Sequence, residues 1–483
     1  MASKDIVLVV GSTGYIGTRL VDALLNNGYT VRAGFRNSEK LEKKPWSSHP
    51  NLIPVKLDVF DIESLVAASS GCMAAYYLVH SMYGKGDFAA LDRKAAHNLS
   101  KAAEKAGLRR IIYLGGLGDA DTHLSKHLYS RLEVSRILHE GSVPATTLRA
   151  AMIVGAGSAS FEIMRYLVDR LPAMVTPKWV RTKSQPIAVS NVIRYLVGCL
   201  ESEDTAGGVF DIGGPDVLSY QDLMRIYTKV AGLTRRFIVP IPMLTPRLSS
   251  YWLSLVTPLP TVLARPLIEG LRSEAVCQND DIQSLVPQKL LSVRQAIHLA
   301  LEQDRHKRVY AKDTLHIGHG IYEWVYDGDP DWAGGSSFWI TKKSTTSAER
   351  RGIWSAIKSV LGTKGWNYGS WVWPLRGYLD VLLGGNGMIA SPRRPKIGSK
   401  VDCWEVVELV PERRLRLRST LKMPAAVVLT VSIKSNANGS ELELMLHYHP
   451  VGFAGLIAWY GLLPVRRRMI SKLLDRITQI AEA

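Results

Sequence analysis

The sequence predicts an α/β domain built on a doubly wound parallel sheet, followed by a smaller α+β domain. The run at residues 6–10 is continuously apolar, which is typical of a strand buried on both faces of a parallel sheet. Apolar residues at helical spacing follow it, at Leu20, Val21, Leu24 and Leu25. After residue 319 this strand–helix alternation gives way to a tryptophan- and glycine-rich stretch and then to recurring strand patterns.

Chain length indicates the number of domains, and net charge indicates the kind of binding partner. A chain of 483 residues exceeds one ordinary core, so we expect a first domain over residues 1–300, a linker over 301–319 and a second domain over 320–483. The chain has 60 Lys and Arg against 43 Asp and Glu. This excess favours anionic partners, such as a nucleotide phosphate or an acidic lipid.

Cysteine usage and hydropathy indicate the compartment. Four scattered cysteines, with no CxxC spacing, indicate reduced thiols in a cytoplasmic protein and no metal site. The first strand begins almost at the amino terminus, so we expect no signal peptide. We also expect no spanning helix, because no apolar run reaches about 20 residues.

Gly11, Gly14 and Gly17 follow the first strand at three-residue spacing. Such glycines allow a tight turn, a close approach of the backbone to a diphosphate, and close packing of helix on strand. The helix start adds free N–H groups and a partial positive charge. We therefore predict that this turn binds a dinucleotide, with the intervening residues Thr13, Tyr15 and Ile16 beside it.

This strand, turn and helix resemble the opening of extended and atypical short-chain dehydrogenase/reductases, and the resemblance covers roughly residues 4–300. It implies a Rossmann sheet. It also implies that Asp58, directly after the third strand, contacts the adenine amino group. Val79, at the end of the fourth strand, is expected to border the cofactor. His80 follows it at the carboxyl edge of the sheet, where an ordinary loop histidine is the alternative.

The second strand and its exit carry Arg32 and Arg36, with Lys40 slightly later. An acidic residue there would hold the ribose 2′-hydroxyl of NAD(H), whereas a guanidinium pairs with a 2′-phosphate. NADP(H) is therefore predicted over NAD(H). A solvated basic turn is the alternative.

The catalytic signature of the family is incomplete. The resemblance implies a Ser or Thr past the fifth strand and a YxxxK on the next helix, yet glycines follow that strand and Tyr129 has Glu133 four residues on. Alignment places His127 where the Tyr stands and Arg131 where the Lys stands. His127 is a candidate proton donor, since its unperturbed pKa lies near neutrality, and Arg131 would orient the ribose. This departure resembles NmrA-like proteins, some of which bind the cofactor without evident turnover.

The second half predicts strands at residues 321–326, 402–409, 414–421, 425–434 and 441–449 and a helix over 463–481. This pattern resembles the helix-grip fold of START-like (SRPBCC) domains and an uncharacterised domain fused behind bacterial reductase domains. The resemblance implies an apolar ligand cavity. Its candidate liners are Trp366, Tyr368, Trp371, Arg376, Asp380 and Trp404. The alternative is that these aromatic residues simply fill the core.

Three basic or polar patterns in this half have simpler alternatives. Arg414, Arg416 and Arg418 share a strand face, which we expect to be solvated. Residues 451–463 and the arginines at 466–468 suit either a membrane interface, at the inner face of the membrane, or core packing. No motif for nucleic-acid binding occurs.

Two functions follow as hypotheses. The first is an NADP(H)-dependent oxidoreductase acting on a hydrophobic carbonyl or quinone. The second is a non-catalytic NADP(H)-binding or sensing module whose rear domain holds a lipid-like ligand or a partner.

Overall fold

The computed structural model describes residues 4–482 except 81–86, 119–124, 242–255, 310–320, 331, 336–337, 362–377, 379–380, 382–395 and 437–438. The chain divides into two compact units. The first comprises residues 1–303 and 317–335, and the second comprises residues 304–316 and 336–483. Among the described residues, no helix is both long and apolar enough to cross a membrane.

The first unit alternates strands and helices. Its strands are β1 (Lys4–Val10), β2 (Tyr29–Phe35), β3 (Leu52–Lys56), β4 (Ala74–Tyr77), β5 (Arg110–Gly116), β6 (Ala145–Ala150), β7 (Ile153–Val154), β8 (Ala173–Pro177), β9 (Lys183–Ser184), β10 (Ile187–Ala188), β11 (Val209–Ile212), β12 (Leu218–Ser219) and β13 (Phe237–Ile241). Its helices are α1 (Tyr15–Asn26), α2 (Ser38–Glu42), α3 (Ile62–Ser69), α4 (Phe88–Lys105), α5 (Lys126–His139), α6 (Ala159–Arg170), α7 (Val189–Glu201), α8 (Tyr220–Val230), α9 (Thr261–Gly270), α10 (Asp281–Leu285) and α11 (Val293–Val309), whose residues from 304 onward belong to the second unit.

Seven of these strands form one parallel sheet in the order β11-β6-β5-β4-β1-β2-β3. The predicted doubly wound sheet is confirmed. Its order reverses between β1 and β4, so the turns after these two strands flank the crevice where such folds bind ligands. β1 is buried on both faces, because Val7 and Val9 pack in the cluster that includes α1 and α7 while Leu8 and Val10 pack in the cluster that includes α3 and α4.

The second unit is an antiparallel sheet with helices on one face. Its elements are β14 (Phe338–Thr346), α12 (Arg350–Leu361), β15 (Lys400–Val401), β16 (Trp404–Val410), β17 (Arg414–Ser419), β18 (Ala425–Asn436), β19 (Gly439–Pro450) and α13 (Gly452–Glu482). The sheet order is β14-β19-β18-β17-β16-β15, and α12 and α13 cover the face that holds its apolar core. Four predicted strands of this half are confirmed to within two residues at each end. The predicted helix begins eleven residues earlier than expected.

The structure bears on a strand, a solvated strand face and a ligand cavity that the sequence predicts for this half. Residues 321–326 form turns, so the predicted strand there is wrong, and they belong to the first unit. The arginine face of β17 is not fully solvated, because Arg416 is buried and pairs with Glu408 at 2.7 Å. Among the described residues of this unit, a gap of ≈ 10 Å³ between the sheet and its helices is lined by aliphatic side chains, and this gap is too small for an organic ligand.

The candidate liners of the predicted cavity divide into two groups. Trp404 is a buried member of the core between the sheet and its helices. The other five lie outside the described residues: Trp366, Tyr368, Trp371, Arg376 and Asp380.

Candidate functional site

The glycine turn after β1 adopts the tight geometry that its spacing predicts. Gly11 has φ +93°, in the left-handed region that favours glycine, and a Cβ there would lie 3.0 Å from the Leu78 carbonyl oxygen. Gly14 is the N-cap of α1, and its N–H donates to the Gly11 carbonyl at 3.1 Å. A Cβ on Gly17 would lie 2.9 Å from the Gly11 carbonyl carbon and closer still to its oxygen. The helix therefore packs against the turn at a distance that only glycine permits.

This turn fits the diphosphate of a dinucleotide. Neither a side-chain cap nor an acidic residue in the first turn covers the start of α1. The N–H groups of the first turn, beginning at Tyr15 and Ile16, have no acceptor within the helix and point toward its amino end. Thr13 is half-buried beside them. The turn thus presents hydrogen-bond donors and a partial positive charge to an anion at the switch point of the sheet.

The two arginines of the predicted 2′-phosphate site differ in surroundings. Arg32 Nη1 donates to the carbonyls of Ala68 and Ser70, each at 2.7 Å, so this nitrogen already binds acceptors at the carboxyl end of α3. Arg36 lies exposed just past the end of β2. Of the pair, Arg36 is the guanidinium available to an incoming phosphate.

Asp58 and Val79 occupy the strand ends that the sequence predicts. The exposed Asp58 follows β3, and its Oδ1 accepts from the Phe60 N–H at 3.0 Å, which leaves Oδ2 for another donor. Val79 is half-buried two residues after β4, and a Cβ on Gly11 would lie 3.2 Å from its Cγ2. Whether either contacts a nucleotide stays a prediction.

Two histidines and an arginine converge where β4 and β5 end. Arg131 Nε donates to His127 Nε2 at 3.1 Å, and Arg131 Nη1 donates to His80 Nε2 at 2.9 Å. Because a guanidinium only donates, each Nε2 must accept, and each neutral ring must carry its proton on Nδ1. We call His80, Arg131 and His127 the imidazole–guanidinium cluster.

Electrostatics hold both imidazoles of the cluster neutral. Burial lowers the pKa of His127 and of His80 well below the usual histidine value, and the charge of Arg131 lowers both further. His127 therefore lacks the near-neutral pKa that its sequence suggests, and it cannot serve as an imidazolium acid at pH 7. It can still donate a hydrogen bond from Nδ1.

The cluster also explains the missing Ser after β5. A Cβ on Gly116 would lie 2.8 Å from Leu128 Cδ2 and 3.1 Å from Arg131 Cδ. These two side chains occupy the volume in which a serine side chain would stand. The glycine is therefore the residue that lets Arg131 reach His80.

The residues at 321–335, which we call the return segment, pack against the start of α1. Arg19, fully buried on α1, donates to the carbonyls of Tyr322 and Trp324 and pairs with Asp329 Oδ2 at 2.9 Å. Its guanidinium lies between the rings of Tyr15, at 3.9 Å, and Tyr326, at 4.6 Å. Sequence reasoning missed this contact, since nothing local marks a helix arginine as buried.

Glu162 is a second anchor of the return segment that sequence reasoning missed. This fully buried carboxylate on α6 accepts from the N–H groups of Gly157 at 2.9 Å, Gly334 at 2.8 Å and Gly335 at 3.3 Å. It thereby ties the return segment to the turn between β7 and α6. Among the described residues, no three His, Cys, Asp or Glu side chains group as metal ligands.

Two family profiles match this chain. Residues 11–150 match a family described as NAD(P)H-binding, and residues 332–473 match a family described as a protein of unknown function (DUF2867). The first match contains the glycine turn and the imidazole–guanidinium cluster.

Curated relatives cover only part of the chain. Subunit 9 of the NADH dehydrogenase [ubiquinone] 1 alpha subcomplex, mitochondrial, of Arabidopsis thaliana is 25% identical over 249 residues, which are 50% of this chain and 61% of that protein. Cinnamoyl-CoA reductase 1 of Oryza sativa subsp. japonica is 31% identical over 121 residues, 24% of this chain and 35% of that enzyme. The matches thus span about three fifths of the first relative and about a third of the second.

Solved structures share the fold of the first unit. The Citrobacter sp. triphenylmethane reductase complexed with NADP(H) superposes with TM-score 0.50 and 18% identity, covering 62% of this chain and all of that one. The NADPH-dependent quinone oxidoreductase of Escherichia coli complexed with NADPH gives TM-score 0.50 and 17% identity, covering 60% and 98%. The first unit therefore has a Rossmann fold with an NAD(P)H-binding match over residues 11–150, and a DUF2867 match follows over residues 332–473.

Proposed function

We propose that the protein is an NADP(H)-dependent oxidoreductase that reduces a hydrophobic carbonyl or quinone. The observation that carries this proposal is the imidazole–guanidinium cluster at the carboxyl edge of β4 and β5. In a doubly wound sheet this edge faces the bound nucleotide and its reaction partner. A reductase needs a hydrogen-bond donor there for the oxygen that gains charge, and the cluster offers two neutral Nδ1–H groups.

The chemistry divides between cofactor and chain. NADPH, when bound, supplies the hydride to the carbonyl carbon. His127 donates a hydrogen bond from Nδ1 to the carbonyl oxygen as negative charge develops on it, and water supplies the proton that completes the alcohol. Arg131 positions His127 through the 3.1 Å bond to Nε2 and keeps the ring in this tautomer. Arg131 is thus a positioning residue, and ribose contact is its second proposed role.

His127→Ala tests the catalytic role. We expect turnover with a panel of quinones and aromatic aldehydes to fall about 100-fold, because one preorganised donor is lost, while the Kd for NADPH changes less than twofold. The measurement is NADPH oxidation under saturating cofactor. The exposed His97 on α4 offers the matched control, and His97→Ala should leave both values unchanged.

The pH profile separates two roles of His127. A neutral donor predicts that the wild-type rate stays level between about pH 6.5 and 8, since the pKa of the ring lies well below this range. An imidazolium acid would instead give a rate that falls as the pH rises through its pKa. A falling profile that His127→Ala removes would contradict the neutral-donor mechanism.

Arg36 carries the proposed preference for NADP(H). Arg36→Ala should weaken NADPH binding about tenfold and leave NADH binding unchanged, because the lost guanidinium meets only the 2′-phosphate. Calorimetric titration of both nucleotides measures this. Arg109→Ala, which removes an exposed charge just before the amino end of β5, is the control. Equal weakening of both nucleotides would exclude Arg36 as the discriminating residue.

The alternative function is a non-catalytic NADP(H)-binding module. The specific observation behind it concerns Arg131, which stands where the catalytic YxxxK motif has Lys. Its Nε and Nη1 donate hydrogen bonds to two histidines. Tight NADPH binding, a raised melting temperature and no turnover with any acceptor would favour this function. For the second unit, one long helix across an antiparallel sheet supports a helix-grip, SRPBCC-like domain as a proposal.

A further inference from the structure

The first half of α13 exposes a broad uncharged face. Every exposed residue between positions 453 and 465 is uncharged, and most are apolar: Phe453, Ala454, Ile457, Tyr460, Gly461, Leu462, Pro464 and Val465. The side chains of Phe453, Ile457 and Tyr460 are 56%, 59% and 63% exposed. Spaced at i, i+4 and i+7, they form one stripe along the helix.

The opposite side of the same turns is anchored to the sheet. Trp459 is 4% exposed, and its ring stacks on Phe338 with a centroid distance of 4.9 Å. Arg466 Nη1 donates to the carbonyls of Ala458 and Trp459, and its guanidinium lies 4.4 Å from the Tyr448 ring. The helix is therefore held in a single rotation about its axis. Phe453 and Ile457 face away from the sheet, and Tyr460 touches the Phe338 ring edge-on, at a centroid distance of 5.8 Å, while most of its surface stays exposed.

All charged side chains next to the apolar stripe of α13 are positive. Arg467 and Arg468 are exposed at its carboxyl end, and residues 451–474 contain no Asp or Glu. The whole chain has a formal net charge of +17. A second copy of the chain carries the same charge and is repelled, whereas an acidic lipid surface attracts it.

We propose that this face of α13 binds the surface of a bilayer that contains anionic lipid. The thirteen residues span about 20 Å at 1.5 Å per residue, which suits a helix lying in the interface with its apolar side among the acyl chains. Arg467 and Arg468 then meet lipid phosphates at the same depth. This surface belongs to the second unit and the glycine turn to the first, and the proposal does not depend on turnover.

Vesicle co-sedimentation of the full chain tests the proposal. The probes are phosphatidylcholine vesicles with and without phosphatidylglycerol, at low and high salt. Two double variants separate apolar burial from charge attraction. Ile457→Ser with Tyr460→Ser removes apolar surface, and Arg467→Gln with Arg468→Gln removes positive charge. The control, Arg413→Gln with Lys434→Gln, removes the same charge from exposed positions in the same unit, away from α13.

We expect preferential binding to the phosphatidylglycerol vesicles, weakened about tenfold or more by either double variant and by high salt, and changed less than twofold by the control. Retention of the wild-type unfolding midpoint shows that the variants fold. Three results would overturn the proposal: no enrichment on anionic vesicles, an equal loss in the control, or a concentration-dependent dimer that Ile457→Ser with Tyr460→Ser disrupts while vesicles leave it unbound.

Discussion

Gly17→Ala is expected to weaken NADPH binding severely and to lower the free energy of unfolding by about 3 kcal/mol. The added methyl group would overlap the Gly11 carbonyl, which is backbone and cannot rotate away. Either α1 or the turn must shift, and the N–H groups of the first turn then leave the diphosphate position. We expect the Kd to rise at least about 100-fold, because hydrogen bonds from these N–H groups to a diphosphate are charge-assisted.

A second helix glycine provides the matched control. Gly352 lies within α12, and a Cβ there would lie 3.6 Å from the Ala481 carbonyl oxygen, an ordinary contact. Gly352→Ala should therefore raise stability by up to about 1 kcal/mol, because alanine loses less backbone entropy than glycine when a helix forms, and leave nucleotide binding unchanged. Urea unfolding and calorimetric titration measure both quantities. Wild-type NADPH affinity in Gly17→Ala would show that the turn is not the diphosphate site.

Arg19→Met is expected to cost about 3–5 kcal/mol of unfolding free energy. Arg19 and Asp329 are both fully buried, so removal of the cation leaves an uncompensated carboxylate in the interior. The carbonyls of Tyr322 and Trp324 lose their donor at the same time. We expect the return segment to detach from α1, which limited proteolysis detects as new cleavage within residues 321–335.

Two comparisons make this prediction specific. Arg225→Met breaks an ion pair with Asp222 whose side chains are 61% and 45% exposed, and it should cost at most about 1 kcal/mol. The double variant Arg19→Met with Asp329→Leu should be more stable than Arg19→Met alone, since it removes the stranded charge. Equal costs for Arg19→Met and Arg225→Met would mean that the return segment is held by other interactions.

The hydrophobic pattern and the glycine spacing predict those elements whose structure depends on residues close together in the chain. The buried run of β1 and the glycine spacing are readable because both depend on neighbouring residues in the chain. The sequence also predicts part of the imidazole–guanidinium cluster, since the carboxyl ends of adjacent parallel strands meet at one edge of the sheet. That rule alone brings His80, after β4, toward the residues that follow β5.

Other features depend on partners that the sequence does not mark. The strand predicted at residues 321–326 is a set of turns, because the carbonyls there bond to Arg19 rather than to a neighbouring strand. Arg416 alternates with leucines as a solvated residue would, yet it is buried beside Glu408. Alternation reports which face a side chain occupies and not whether another part of the chain covers that face.

By itself, the sequence determined a parallel sheet, a glycine turn suited to a dinucleotide, and a second domain of antiparallel strands with a closing helix. Each rests on periodicity or on the steric needs of glycine, which act over a few residues. Only the tertiary structure decided that Arg131 bonds two neutral histidines, that Arg19 pairs with a carboxylate 310 residues away, and that α13 turns an apolar stripe outward. Burial and hydrogen-bond partners set these properties, and both arise when distant segments meet.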